Sequence, residues 1–132
     1  MIKEFAKYIE NGTSFVLGTN LFEISTNPNV TNECIVVAEP APGLADGTLE
    51  GLREVPLVIY ARAITRFTAR DNAYVVFDLL HRKMQVDLPV IGGGDTYTCN
   101  IVCSTPYYNG LDETTERFVY VMPLTVTVTN MS

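Results

Sequence analysis

Three carboxylates, Asp112, Glu113 and Glu116, stand within five residues of one another, and paired acids of this kind are what a glycoside hydrolase uses as acid and base. Such a pair must straddle a bond at fixed separation, whereas adjacent carboxylates in one turn are solvated and repel each other. The cluster reads as the turn that launches the strand after it. His81, the sole histidine, falls at the charged end of an expected helix with Asp78 three residues earlier. That position gives it a surface ion pair or a contact with the helix dipole in preference to general base work. Cys99 and Cys103 share a strand-like segment, which holds them about 13 Å apart, beyond the roughly 7 Å that a disulfide tolerates. With Cys34 they read as buried free thiols, because a zinc site needs more ligands at closer spacing. The run Gly92-Gly93-Gly94-Asp95 lacks the Gly-Lys-Ser/Thr ending and following helix of a phosphate loop and reads as a connector. No Walker motif, metal triad or nucleophile elbow is present, so no catalytic residue, metal or cofactor is expected.

Composition narrows the class further. The chain has 132 residues, 47% apolar and 18% charged, which fits one globular domain over 1–132 with a single core. The uncharged stretch near residues 13–22 is too short and polar to cross a bilayer. Lys3, Glu4, Lys7 and Glu10 interrupt what would be the apolar centre of a signal peptide, so the chain reads as cytoplasmic at synthesis. Nine basic residues against fifteen acidic ones leave a net charge of −6, which opposes nucleic-acid capture by a basic face. The one basic run, His81-Arg82-Lys83, complements the negative end of a helix. Seven tyrosines and six phenylalanines raise the prospect of base stacking, but Tyr107 and Tyr108 adjoin Asp112 and Glu113, which repel phosphates. Their use is expected to be protein contact or local packing.

The elements follow from periodicity. Ile2, Phe5, Ala6 and Ile9 recur at helical spacing, and Asn11-Gly12 supplies a left-handed stop. Phe15 to Leu17 and Leu21 to Ser25 read as strands of a hairpin joined by Gly18-Thr19-Asn20, and "TNPN" at 26–29 reads as a turn. A strand "ECIVVAE" precedes a loop over 40–54 whose length is itself a functional pointer. "VPLVIYARAI" is the next strand. A helix over 68–84 follows, with Thr68 as N-cap, Asp71 in the capping position and Ala73, Val76, Phe77, Leu80 and Met84 as its stripe. "YTCNIVCST" is a strand, "PYYNGLDETTE" a loop, and Arg117 to Thr129 a long strand. Phe118, Tyr120, Met122, Leu124, Val126 and Val128 occupy one face of it, and Pro123 implies an edge position or a bulge. The fold class is therefore α+β. A mainly antiparallel sheet carries a helix on one face, with an N-terminal helix and a long loop between central strands.

The segments "LVIYARAITRFTARDNAYVVFDLL" and "CSTPYYNGLDETTERFVYVMPLTVTV", in this succession of elements, resemble the tail terminator proteins of long-tailed bacteriophages, including those labelled tail completion or minor capsid protein. The resemblance runs from Phe5 to Thr129. It rests on the strand ending Tyr60-Ala61-Arg62, the helix with Ala73 and Leu80 inward, the Ser104-Thr105-Pro106 step, and the Gly110-Leu111-Asp112-Glu113 turn leading into Arg117-Phe118. The chain departs from the pattern at Thr114-Thr115-Glu116 and at Pro123.

The resemblance implies a structural protein and no enzyme: a ring of six copies on the head-proximal end of the tail tube. Such a ring stops tube polymerisation and joins the tail to the head-completion proteins, first in the host cytoplasm and then in the virion. Six copies at −6 each amount to about −36, a charge that lets DNA pass through without specific binding. The expected interface residues are Leu44, Asp46, Leu49, Glu50, Leu52 and Arg53 in the long loop. Tyr107, Tyr108, Asp112, Glu113, Glu116 and Arg117 join them around the acidic turn, where Arg117 is expected to pair with Glu113 or Glu116. The alternatives are another neck component, a stopper or adaptor, and a small acidic hydrolase.

Overall fold

A computed structural model describes residues 2–23, 33–38, 53–91, 96–112 and 116–129. It is an α+β fold with two helices and a seven-stranded, mostly antiparallel sheet. In chain order the elements are α1 (Ile2–Gly12), β1 (Leu21–Glu23), β2 (Cys34–Ala38), β3 (Arg53–Ala63), α2 (Arg66–Leu80), β4 (Lys83–Asp87), β5 (Thr98–Cys103), β6 (Tyr107–Asp112) and β7 (Arg117–Val128). The sheet runs β1-β2-β3-β7-β5-β4, and β6 also pairs with β7. Among the described strands, only β1 and β2 pair parallel. The expected turn at 26–29, the loop from 40 to 52, the glycine run at 92–95 and Glu113 lie outside the described residues.

Alternation in β7 sets the core. Tyr120, Met122, Leu124 and Val126 lie in one buried cluster with Leu57, Ile59 and Ala61 of β3, Phe5 and Ile9 of α1, and Ala69, Ala73, Val76 and Leu80 of α2. A second, smaller cluster of Val58, Val119 and Val121, with Tyr60 against it, belongs to the residues of opposite parity. Each large aliphatic or aromatic side chain buried in the main cluster is worth about 1.5–3 kcal/mol in transfer from water. The three cysteines are buried free thiols.

Several boundaries differ from the sequence reading, each for a local reason. Gly12 is the last residue of α1 and does not take a positive φ. Its missing Cβ instead admits Leu79 of α2, whose Cδ1 lies 2.6 Å from where that carbon would be. Over 15–23, the described part of the expected 15–25 hairpin, the chain makes a tight turn. Val16 O accepts from the amides of Thr19, Asn20 and Leu21, Asn20 Oδ1 accepts from Val16 N–H at 2.6 Å, and Gly18 supplies φ +85°. Glu10 anchors this turn to α1 by accepting from Lys7 Nζ at 2.6 Å and from Leu17 N–H at 2.7 Å. The Lys7 contact, then the Leu17 amide, holds the Glu10 carboxyl below its usual range.

The N-cap of α2 is Thr65, one turn before Thr68. Its hydroxyl accepts from Thr68 N–H at 3.2 Å and donates to Thr68 Oγ1 at 2.8 Å, so two threonines three apart share one cap. Asp71 lies a turn further in and is exposed. The helix ends at Leu80, where His81 turns extended while its N–H still reaches Phe77 O, and Arg82 follows with φ +58°. Met84 therefore leaves the helical stripe and stands 58% exposed on β4, an edge strand with a register break between Lys83 and Val86. The loop expected to reach Glu54 ends earlier, because β3 already begins at Arg53.

Pro123 is neither at an edge nor at a bulge of the β3 ladder, whose register is continuous from Arg53↔Val128 to Ala63↔Phe118. Its carbonyl accepts from Ser104 N–H at 2.8 Å, so its nitrogen faces the same side, away from β3. That side is where β5 stops at Cys103↔Leu124 and β6 starts at Tyr107↔Val121. The missing donor falls in the gap between two strands that share one edge of β7.

Candidate interaction surface at the β6–β7 hairpin

The stretch expected to be a loop, Tyr107 to Asp112, is strand β6, which pairs antiparallel with the first part of β7. Asn109-Gly110 resembles a turn in sequence because it forms a bulge. The register shifts between Tyr108 and Gly110, and Gly110 takes φ +111°, a backbone conformation open to glycine and costly for other residues. Beyond the bulge, Asp112 is paired with Arg117 across the hairpin, and Glu116 closes it with φ +56° while its N–H donates to Asp112 O at 2.7 Å. An Arg117 Nη1 contact goes to the carbonyl oxygen of Glu116 at 3.1 Å; Glu113, the other expected partner, lies outside the described residues.

The hairpin has two chemically different faces. On the face shared with the main core, Tyr108 sits opposite Tyr120 and Leu111 opposite Phe118. The Tyr108 ring lies 5.6 Å from that of Tyr120 and 6.5 Å from that of Phe118. Arg66, in the first turn of α2, places its guanidinium carbon 4.2 Å from the Tyr108 ring centroid, within the range of a cation–π contact. Hydrogen bonding to the Tyr120 side chain raises the Arg66 pKa further above its ordinary value. On the opposite face, Tyr107 is paired with Val121 and Gly110 with Val119, and across β7 these meet Tyr60 and Arg62 of β3. Between β3 and the hairpin lies a recess of about 240 Å³, walled by Tyr60, Arg62 and Val119 on one side and residues 109–112 on the other.

Among the described residues β6 pairs with β7 alone. Its outer edge carries half-exposed apolar side chains, with Tyr107 at 51% and Leu111 at 50%. An edge strand of this kind is a template for pairing with another chain. What the arrangement offers is a strand edge, two tyrosines, and arginines on both faces.

Of the expected interface residues, the structure brings together Tyr107, Tyr108, Asp112, Glu116 and Arg117. Arg53 is not with them, because it opposes Val128 at the far end of the β3–β7 ladder, about 23 Å at strand rise from the start of β6 opposite Val121. Leu44, Asp46, Leu49, Glu50, Leu52 and Glu113 lie outside the described residues. Sequence reasoning missed Tyr60, Arg62, Asn109 and Leu111. The signal for Tyr60 and Arg62 was available in β3, where they take the parity opposite to the buried Ile59, Ala61 and Ala63.

The chemistry-bearing residues elsewhere are held in structural roles. His81 Nδ1 accepts from the Cys103 N–H at 3.3 Å, and its ring stacks on Phe77 at 4.6 Å; the expected ion pair with Asp78 is not formed. Burial pushes the Cys103 thiol up to about 12, and burial with a smaller push from Asp87 takes Cys99 to about 11, so neither is a nucleophile near neutral pH. Among the described residues no group of three or more His, Cys, Asp or Glu is placed to hold a metal ion, and no helix is long and apolar enough to cross a membrane.

No protein-family model and no curated protein sequence matches the chain.

Proposed function

We propose that this protein is a ring-forming structural subunit of the tail terminator kind, which caps the head-proximal end of a bacteriophage tail tube, stops its growth and joins it to the head-completion proteins. The single observation that carries the reading is the β6–β7 hairpin. Its strand β6 pairs, among the described residues, on one edge alone, with Tyr107, Tyr108 and Leu111 exposed, in the segment through which the sequence resembles that family. A ring of identical subunits needs two different, complementary surfaces on each copy. A strand edge that no described residue pairs with, carrying aromatic anchors, suits one of them, since aromatic and arginine side chains dominate the energetics of protein contacts.

The action is geometric. One ring face binds the last tube ring, and the other lacks the contact that would accept a further one, so growth ends by absence of a docking surface. Both helices contribute to the main core cluster, an arrangement in which helix packing on one side of the sheet leaves the hairpin to neighbouring subunits. The net charge of −6 per copy keeps DNA moving through the ring without adhering to it. The site of action is the neck of the virion, after assembly in the host cytoplasm.

The test is a length assay. Purified protein added to polymerising tail-tube subunits should cap tubes at one end and halt elongation there. Tubes that grow at an unchanged rate, with no protein bound at either end, contradict the proposal. Binding to the head-side neck proteins without binding to tubes would move the protein to a different position in the neck.

A further inference from the structure

The chain contains two Asn-Gly pairs, Asn11-Gly12 and Asn109-Gly110. The side-chain amide carbon of an asparagine lies within reach of the backbone nitrogen of the next residue, and a glycine there puts no Cβ in the way of a five-membered ring. Sequence alone makes the two pairs equal; the fold does not. Gly12 closes α1, where Thr13 Oγ1 donates to Ile9 O at 2.7 Å and the Leu79 methyls occupy the space a Cβ would need. Phe5 and Ile9, both fully buried, hold α1 to the core. Freeing the Gly12 amide from the helix ladder therefore requires much of the fold to open.

Asn109-Gly110 has the opposite surroundings. Asn109 is exposed and falls in the register shift between Tyr108 and Gly110, so it has no partner on β7. Gly110 takes φ +111°. Among the described residues, nothing beyond its chain neighbours lies within 4 Å of where its Cβ would stand, which leaves the backbone room to turn. Past the bulge, β6 holds to β7 through Gly110↔Val119, Leu111↔Phe118 and Asp112↔Arg117, at the tip of the hairpin. Lifting those pairs frees the Gly110 nitrogen without opening the main core. The recess of about 240 Å³ beside them is roomy enough for water.

We infer that Asn109 is a site of self-modification, converted from amide to carboxylate through a cyclic imide with Gly110, with water as the co-reactant. The Gly110 nitrogen gives its proton to solvent base and forms a bond to Asn109 Cγ. The Cγ–Nδ2 bond breaks, and ammonia leaves with a proton taken from solvent. Water then adds to one of the two imide carbonyls, and the ring C–N bond at that carbon breaks with return of a proton to the nitrogen. Opening at Cγ gives aspartate; opening at the backbone carbonyl gives isoaspartate, whose main chain runs through the side-chain carbon. One water is consumed and one ammonia released, with no change of oxidation state. Each conversion adds one negative charge to the net −6, in a recess wall that already holds Asp112. The isoaspartate form also lengthens β6 at its bulge, which shifts the pairs beyond it. Whatever the chain assembles with, an aged copy presents a hairpin edge different from that of a new one.

The experiment incubates the full chain in mildly alkaline buffer and, in parallel, in concentrated denaturant, and follows both asparagines by isoelectric focusing and peptide mapping. In denaturant, where sequence alone acts, positions 11 and 109 should convert at comparable rates. In buffer, position 109 is expected to convert at least about tenfold faster than position 11, because its local opening costs less than that of α1. The acidic isoform should vanish in N109Q, whose longer side chain closes the ring poorly, and persist in N11Q. The wild-type map decides the matter even if a variant folds poorly. Equal rates at the two positions in the folded chain, or an Asn109 that stays an amide in buffer over the time in which denaturant converts it, overturns the inference.

Discussion

The Ser104 N–H donates to the Pro123 carbonyl across 2.8 Å, and Pro123 has no N–H to return. In an antiparallel pair the two residues of a closely bonded position exchange two hydrogen bonds; here only one can form. The ladder of β5 ends at that point, and β6 takes up the same edge of β7 three residues later. One proline thus divides the edge into a core-forming half and a half given to the hairpin. The variant P123A restores the donor opposite Ser104. We expect its new amide to be protected from hydrogen exchange to the degree of its β7 neighbours, with stability changed by less than about 1 kcal/mol. Rapid exchange at that amide would show that the nitrogen faces elsewhere.

The N-cap of α2 gives a sharper choice between two neighbouring threonines. T65A removes the acceptor for the Thr68 amide and should cost about 1 kcal/mol in urea denaturation, whereas T65S should be close to neutral. T68A leaves the Thr65 oxygen in place and should cost less than T65A. The reverse order would restore the cap to Thr68.

Gly12 and Leu79 are predicted to be coupled. A side chain at position 12 meets the Leu79 methyls at 2.6 and 2.9 Å, so G12V should destabilise by about 1–3 kcal/mol through overpacking between α1 and α2. Shortening Leu79 to Ala in the same chain should recover part of that loss. Additive effects in the double-mutant cycle would mean that the two positions do not touch.

Alkaline pH should weaken the fold through its buried thiols. Cys99 and Cys103 are raised to about 11 and about 12 in the folded chain, against an unfolded value near 8.5. Their contribution is complete below pH about 8.5 and is lost progressively as pH rises from there toward the folded values, because the unfolded chain releases its protons first. Urea midpoints measured between pH 8 and 10.5 should fall more steeply for wild type than for the C99A/C103A variant. Parallel curves would contradict the burial of both thiols.

Much of the fold was legible because burial imposes a period. The alternation from Tyr120 to Val126, the helical stripe of Ala73, Val76 and Leu80, and the Phe5 and Ile9 face of α1 are all written in apolar spacing, and all lie in the core. What periodicity missed lies where burial does not dictate sequence. β4 has only half-buried or exposed residues, and β6 is interrupted by a bulge whose Asn109-Gly110 looks like a turn. The cap at Thr65 was hidden by an equivalent threonine three residues on. The hairpin end of the candidate surface was readable from Tyr107, Tyr108 and the acidic turn. Arg62 and Tyr60 join it only through the β3–β7 register, which pairs residues nearly sixty positions apart, and nothing local in the sequence announces that pairing.

The most direct test of the account is the mass of the native assembly, measured on the full chain alone and in the presence of tail tubes. The expected result is a closed species of about 88 kDa, six times the 14.6 kDa chain, and the same ring seated at one end of each tube. A single chain of 14.6 kDa at every concentration, with or without tubes, would contradict it.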